Sequence, residues 1–271
     1  MRRDSTPEFI EALARGLDVL RCFEPGRPAM TLSELATATG LARPTVRRIL
    51  ITLEQLGYVR SSGGEFSLTP RVLDLGMAYI RSQSMWDLAV PHLRKLVEQT
   101  GESCSIAQLD GSDIVYVARV AVPKLVTLAV TIGTRFPAPV TSLGKILLAS
   151  LSPTELDRTL AEASRSGIEP RCRRTRDELD AVLSKVRARG WALTDEELAP
   201  GIRSVAAPIR DGEGAVVAAV NVNAHAAETP VETLTERHLP LLLGAASSIS
   251  ADWEAWKAHP MEVLTPARRQ D

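Results

Sequence analysis

TLSELATATGLARPTVRRILITL, residues 31–53, reads as two short helices set around a tight turn. Thr31 and Glu34 form a T-x-x-E capping box, in which a hydroxyl and a carboxylate satisfy two otherwise free amides. The first helix, from Leu32 to about Thr39, is expected to bury Leu32, Leu35 and Ala36, and the small Ala36 lets a second helix approach closely. Gly40 stands where the chain must turn sharply and tolerates positive φ; Leu41 plugs the angle between the helices. The second helix, about Arg43 to Leu56, carries Pro44 in its first turn, where the missing N–H is harmless. Val46, Ile49, Leu50 and Leu53 recur at helical spacing and form its buried stripe.

The other face of that second helix presents Thr45, Arg47 and Arg48, with Arg43 at its entrance and no acid before Glu54. Arginine pairs with guanine edges or phosphates, and threonine contacts phosphate or a thymine methyl. Arg43, Pro44, Thr45, Arg47 and Arg48 are therefore expected to face DNA. Val59-Arg60, the turn Ser61–Gly64 and Glu65–Leu68 then make a small hairpin, or wing, with Arg60 as its natural phosphate contact. An ordinary helical hairpin with solvated arginines would not bring capped helix, small residue, turn glycine, basic helix and wing together in this order.

The chain around this motif has 271 residues and a formal net charge of -1, with 45% hydrophobic residues. That length allows about two domains, and near-neutral charge does not oppose DNA binding, because only the local patch matters. Cys22, Cys104 and Cys172 are scattered, with no C-x-x-C, so neither a disulfide framework nor a zinc site is expected. MRRDSTPEFIEAL has no apolar core after its arginines and does not read as a signal peptide. No apolar run approaches the roughly 18–20 residues that span a bilayer. A cytoplasmic protein in a reducing compartment, with no membrane partner, is the expectation.

An amphipathic helix from about Phe9 to Phe23 precedes the motif, with Leu13, Leu17, Leu20 and Phe23 on one side; it would cover the helix-turn-helix and extend into a dimer contact. Thr69-Pro70 starts a helix through Ser82 that links two domains. From Trp86 onward the pattern alternates. A helix from about Asp87 ends at Gly101. Cys104–Leu109, Ile114–Val120 and Leu125–Val130 read as strands, and Thr141–Leu151 as a buried helix. Ser152/Glu155 and Thr175/Glu178 are further capping boxes. Trp191–Thr194, Ser204–Arg210 and Ala215–Ala224 read as strands, followed by a helix from about Val231 to Trp256. Helices and hairpins around an antiparallel sheet make an α+β domain. The domains expected are residues 9–69, DNA-binding; 70–84, linker helix; 85–258, effector-binding; and 259–271, a disordered tail.

At this point the chain resembles the IclR family of transcriptional regulators over about Phe9–Trp256. The resemblance is carried in order by ALARGLDVLRCF, the helix-turn-helix, FSLTPRVLDLG, IGTRFPAPVTSLGKILLA, GWALTDEELAPGIRSVAAPIRD and VVAAVNVNA. It implies a mainly α winged helix-turn-helix domain joined to an α+β GAF-like effector domain with an antiparallel sheet. It also implies dimers through the DNA-binding domains, paired into tetramers through the effector domains. FIEALARGLDVLRCF, SLTPRVLDLGMAYI and GTRFPAPVTSLGKILLA are similar to the branch that regulates the β-ketoadipate pathway. That likeness implies control of aromatic-acid breakdown, with protocatechuate, 4-hydroxybenzoate or β-ketoadipate as effector.

The resemblance puts the effector pocket between the sheet and the helix start Thr141, Ser142, Leu143 and Gly144, which is expected to offer hydroxyls and backbone amides to a carboxylate. Thr194, Ile202 and Ser204 match pocket positions across from it. Several relatives have a cysteine at the position of Ser204 and an acid near Thr194; here both are hydroxyls. Arg203 is expected to point away from Ser204 and to be solvated or salt-bridged, and Arg135 and Lys145 to lie on the surface. Asn221 and Asn223 share one face, in the pocket or at an oligomer interface.

An enzyme is the competing class. The chain has no G-x-S-x-G, H-E-x-x-H or Walker A sequence, and His92, His225, His238 and His259 are scattered. Asp195-Glu196-Glu197 reads as a solvated loop rather than a metal site. No catalytic residue, metal or cofactor is expected. A ligand-independent DNA binder would not need a second domain of this size.

Overall fold

The structure is a computed structural model and describes residues 8–24, 26–82, 85–123 and 130–258. Two compact units divide between residues 83 and 84.

In the first unit, α1 (Glu11–Arg21) precedes β1 (Ala29–Thr31), α2 (Leu32–Thr39), α3 (Arg43–Gln55), β2 (Val59–Ser62) and β3 (Glu65–Leu68). Thr31 ends β1 and caps α2: its hydroxyl accepts the Glu34 amide, and the Glu34 carboxylate accepts the Thr31 amide at 2.7 Å. Gly40 closes α2 at φ +67°, where an L side chain would be strained. Val19, Leu35, Val46, Leu50 and Val59 then meet in one core. β3 pairs with β2 and with β1, so the wing is a three-stranded sheet, β1-β3-β2, rather than a lone hairpin. The short β1 follows Pro28 directly and leaves almost no period-2 signal. Glu54, one residue before the end of α3, accepts from the Ser61 amide and hydroxyl and ties the wing to that helix. After the wing, Pro70–Val72 forms a single 3-10 turn, and α4 (Leu73–Ser82) follows.

The second unit opens with α5 (Met85–Thr100), β4 (Ser103–Asp110), β5 (Asp113–Val120) and β6 (Arg135–Pro137). A 3-10 turn at Ala138–Val140 leads to α6 (Ser142–Ala149), α7 (Pro153–Ala161) and α8 (Arg176–Arg189). β7 (Ala192–Asp195), β8 (Ile202–Arg210) and β9 (Val216–His225) complete an antiparallel sheet of order β6-β5-β4-β9-β8-β7. The last helical stretch is α9 (Val231–Thr233), a π turn at Leu234–His238 and α10 (Leu239–Ala258), not one regular helix. The expected strand Leu125–Val130 lies, except for Val130, outside the described residues, as does the tail 259–271.

α6 covers one face of the sheet with α8 packed on α6, while α5 and α10 pack on the other face. The first core is made of Leu143, Leu147, Leu148, Leu183 and Ile114 over sheet alanines 107, 192, 206 and 219. Small residues on the sheet let α6 sit close to it. Gly144 is required there: a Cβ would lie 2.1 Å from the Ala138 carbonyl oxygen. The β4–β5 register steps between Ile106 and Ala107, which stand opposite Ala118 and Tyr116. Val117 is thus an extra residue, a β-bulge. Strand partners project to the same face, so the bulge turns both Tyr116 and Arg119 toward the α6 side, although they are three residues apart.

Candidate functional site

The residues expected to face DNA lie on α3 and the wing. Arg43, Pro44, Arg47 and Arg48 are exposed and Thr45 is half-buried. α3 begins after Ala42 with no side-chain cap and no acid in its first turn, so its leading amides and positive dipole end face outward. Arg47 and Arg48 diverge by about 100° around the helix. Arg43, four residues before Arg47, shares its flank. Arg48 and Thr45 lie on the other flank and line a groove of about 720 Å³ between α1 and α3. Arg60 is exposed on β2, where its Nε donates to Ser67 Oγ at 3.1 Å.

In the second unit Thr141, Ser142, Leu143, Thr194, Ile202 and Ser204 come together around one cavity. Ser204 on β8 stands opposite Thr194 on β7 and Asn223 on β9. Ser142 Oγ lies 2.7 Å from Ser204 Oγ, and Thr194 Oγ1 3.0 Å from it. Three buried hydroxyls from three elements therefore form one chain. Asn221 and Asn223 both line this cavity, as do Tyr116 and Phe136, whose rings meet edge to face at 5.8 Å. Burial pushes the Tyr116 phenol up to about 12, so it is neutral at physiological pH. The cavity measures about 20 Å³, room for a single water.

Two members of the expected helix start act differently from the sequence reading. The Thr141 hydroxyl accepts the Gly144 amide at 3.0 Å and approaches the Ala138 carbonyl at 3.3 Å. Helix capping thus occupies both that hydroxyl and the Gly144 N–H. Gly144 serves close packing, not the cavity wall. Ser142 is the hydroxyl of the helix start that reaches the cavity's polar chain.

Lys145 is not a surface residue. It is 2% exposed, and its Nζ donates to Glu197 Oε1 at 2.7 Å and to the Leu193 carbonyl at 3.2 Å. Arg174 pairs with the other Glu197 oxygen. Burial lowers the Lys145 pKa, while Glu197 works in the opposite direction. Glu197 therefore belongs to a buried ion network and not to a solvated loop. Its neighbour Glu196 adopts φ +54° and accepts the Gly201 amide at 2.9 Å, which draws its carboxyl below the ordinary range. A signal for this network was present: Lys145 is the one charged residue within Ser142–Ala149, a helix buried along its whole length. Arg203 pairs with Asp195 and donates to the Thr229 carbonyl at 2.9 Å, turned from Ser204 as strand alternation requires. Arg135 pairs with Asp110 at the sheet edge.

Among the described residues no group of three or more His, Cys, Asp or Glu is placed to hold a metal, and no helix is long and apolar enough to cross a membrane.

A winged helix-turn-helix in one unit and a polar cavity between helix and sheet in the other define a DNA-binding transcriptional regulator, not an enzyme. The chain belongs to the IclR family: residues 77–251 match the family model for the bacterial transcriptional regulator IclR C-terminal domain, and residues 12–63 match the IclR helix-turn-helix domain. It is 39% identical over 244 residues to the Pca regulon regulatory protein of Pseudomonas putida, covering 90% of this chain and 84% of that one. It is 30% identical to the p-hydroxybenzoate hydroxylase transcriptional activator of Acinetobacter baylyi, over 90% and 92% of the two chains. Among solved structures, a putative transcriptional regulator from Rhodococcus sp. RHA1 superposes with a TM-score of 0.78 at 46% identity, over 91% of this chain and 99% of that one.

Proposed function

We propose that this regulator governs aromatic-acid catabolism through the β-ketoadipate pathway, and that a small organic acid in the second unit sets its activity. The observation that carries the acid reading is the Ser142–Ser204–Thr194 hydroxyl chain at the start of α6, buried beside Asn221 and Asn223. A buried carboxylate needs several donors, and this cluster supplies them with no acidic side chain among the described residues of the wall. The names of two relatives, a Pca regulon regulator and an activator for p-hydroxybenzoate hydroxylase, support the pathway. Protocatechuate, 4-hydroxybenzoate and β-ketoadipate are the candidate effectors.

In this reading Arg43, Pro44, Thr45, Arg47 and Arg48 meet the major groove and Arg60 a flanking phosphate. Self-association sets the spacing of the DNA heads. Ile10 just before α1, Leu13 and Leu17 on it, and Leu56 after α3 expose apolar surface in the same unit, and we assign the dimer contact to it, with tetramers formed through the effector units. An effector acts through its different affinity for two arrangements of the protein. The test is fluorescence anisotropy on DNA from upstream of the ring-cleavage genes, with and without each acid. A change in operator affinity with one of the three supports the reading; no change with any of them rejects it.

A further inference from the structure

Arg119 lies in the second unit on the same sheet face as the cavity. It stands opposite Ser105 on β4, and Ser105 stands opposite Asn221 on β9. Arg119 Nη1 donates to Ser105 Oγ at 2.9 Å, and the Ser105 amide donates to Asn221 Oδ1 at 3.1 Å. The guanidinium therefore sits in the row directly behind a cavity-lining asparagine. Its Nε is buried and has no hydrogen-bond partner among the described residues. Among the described residues no carboxylate lies within ion-pair distance of it, and its electrostatic neighbours are Tyr116 and Cys104. A half-buried arginine without an acid is costly, because desolvation is not repaid by a counter-charge.

The rest of the wall makes the direction of this cation informative. On the sides formed by Phe136, Val140, Leu143 and Leu198 the cavity is apolar. Along the sheet its polar lining runs from the Ser142–Ser204–Thr194 hydroxyls to Asn223 and Asn221, and Ser105 and Arg119 continue the same row of the sheet beyond its present wall. A molecule larger than the present 20 Å³ finds polar partners along this line. Ser105 and Ser204 are separated by two strand spacings and a two-residue offset, about 12 Å on a flat sheet. A molecule hydrogen-bonded at both ends then spans about 6 Å between its own polar atoms.

Building on the organic-acid reading above, we infer that Arg119 and Ser105 bind the effector's carboxylate while the Ser142–Ser204–Thr194 cluster binds a second polar group at its far end. The effector class is thus an acid with a hydroxyl or second carboxylate across a frame of about six carbons, aromatic or linear. Arg119 is the residue that selects for the anion, and Ser204 the one that selects for the distal group.

Calorimetric titration of the full-length protein tests this with 4-hydroxybenzoate, benzoate and neutral 4-hydroxybenzamide, and with the linear pair adipate and hexanoate. Wild type is expected to prefer 4-hydroxybenzoate over the amide and over benzoate, or adipate over hexanoate. Arg119→Gln loses the acid-over-amide preference, with acid binding weakened at least about tenfold, and keeps the preference for a distal polar group. Ser204→Ala does the reverse. A merely structural role for Arg119 would weaken acid and amide alike and leave their ratio unchanged, which overturns the inference. If Arg119→Gln does not fold, Arg119→Lys retains charge without the planar fork; undiminished acid affinity there also overturns it. Wild type that binds none of these acids rejects the organic-acid reading itself, a result distinct from wild type that binds an acid by a route indifferent to Arg119.

Discussion

Gly144→Ala is the most searching test of the packing between α6 and the turn that precedes it. A Cβ at this position would meet three backbone atoms of Ala138: the oxygen at 2.1 Å, Cα at 2.4 Å and the carbonyl carbon at 2.5 Å. No rotamer can relieve a clash with backbone. Ordinary contact begins near 3.4 Å, so α6 or the Ala138–Val140 turn must move by more than about 1 Å in a close-packed interior. Such overpacking costs about 1–3 kcal/mol and sometimes more, and alanine's better helix propensity returns no more than about 1 kcal/mol. A net loss of about 2 kcal/mol corresponds to a melting point lower by about 4–8 °C for a unit of this size. The four tryptophans, Trp86, Trp191, Trp253 and Trp256, all lie beyond residue 83. Tryptophan fluorescence in a urea or thermal melt therefore reports the second unit selectively. An unchanged midpoint would refute the claim that glycine is needed for this approach.

Arg47→Ala and Arg48→Ala should each weaken operator binding about tenfold or more and lower the salt slope of log K by about 1 if the contact is to phosphate; unchanged affinity and slope in both, by fluorescence anisotropy, would remove them from the interface. Lys145→Met leaves Glu197 buried with Arg174 alone and should destabilise the second unit by about 3 kcal/mol, measured by urea titration, with Lys145→Met/Glu197→Leu recovering part of the loss. Glu34 and Glu155 are held below their ordinary value of 4.5 mainly by hydrogen bonds from Thr31 and Ser152. Their folded pKa values being depressed, these capping boxes contribute fully above that value, and the contribution is lost as pH falls through the folded pKa. Acid titration of Glu155→Gln, followed by circular dichroism, should show a smaller stability difference from wild type at pH 3 than at pH 7.

Local chemistry was legible in the sequence. Each capping box needs partners three residues apart, and Thr31/Glu34, Ser152/Glu155 and Thr175/Glu178 all form as the spacing requires. Gly40 and the apolar stripe of α3 likewise act within one or two turns. The hydroxyls of Ser142, Thr194 and Ser204 were reached through the family resemblance, since 62 residues separate the first from the last. What escaped was long-range and ionic. Lys145 finds Glu197 at a separation of 52 residues, and a lysine without a visible partner is naturally assigned to solvent. β6 is three residues ending in proline, too short for a period to emerge. Arg119 was hidden by the bulge at Val117. Strict alternation from Tyr116 would place it on the opposite face of the sheet.

That bulge has a consequence for how such regulators diverge. Pairing β5 without it, at the present strand length, would set Ala118 opposite Ser105 and Arg119 opposite Cys104, turning the guanidinium toward α5 and α10. Deleting Val117 would instead remove the extra residue itself and leave Arg119 opposite Ser105. The charge beside the cavity is therefore governed by whether β5 bulges as well as by its composition. Substitutions near Val117 that favour regular pairing, more than changes in the wall, are where changes of effector class among descendants of this chain are to be sought.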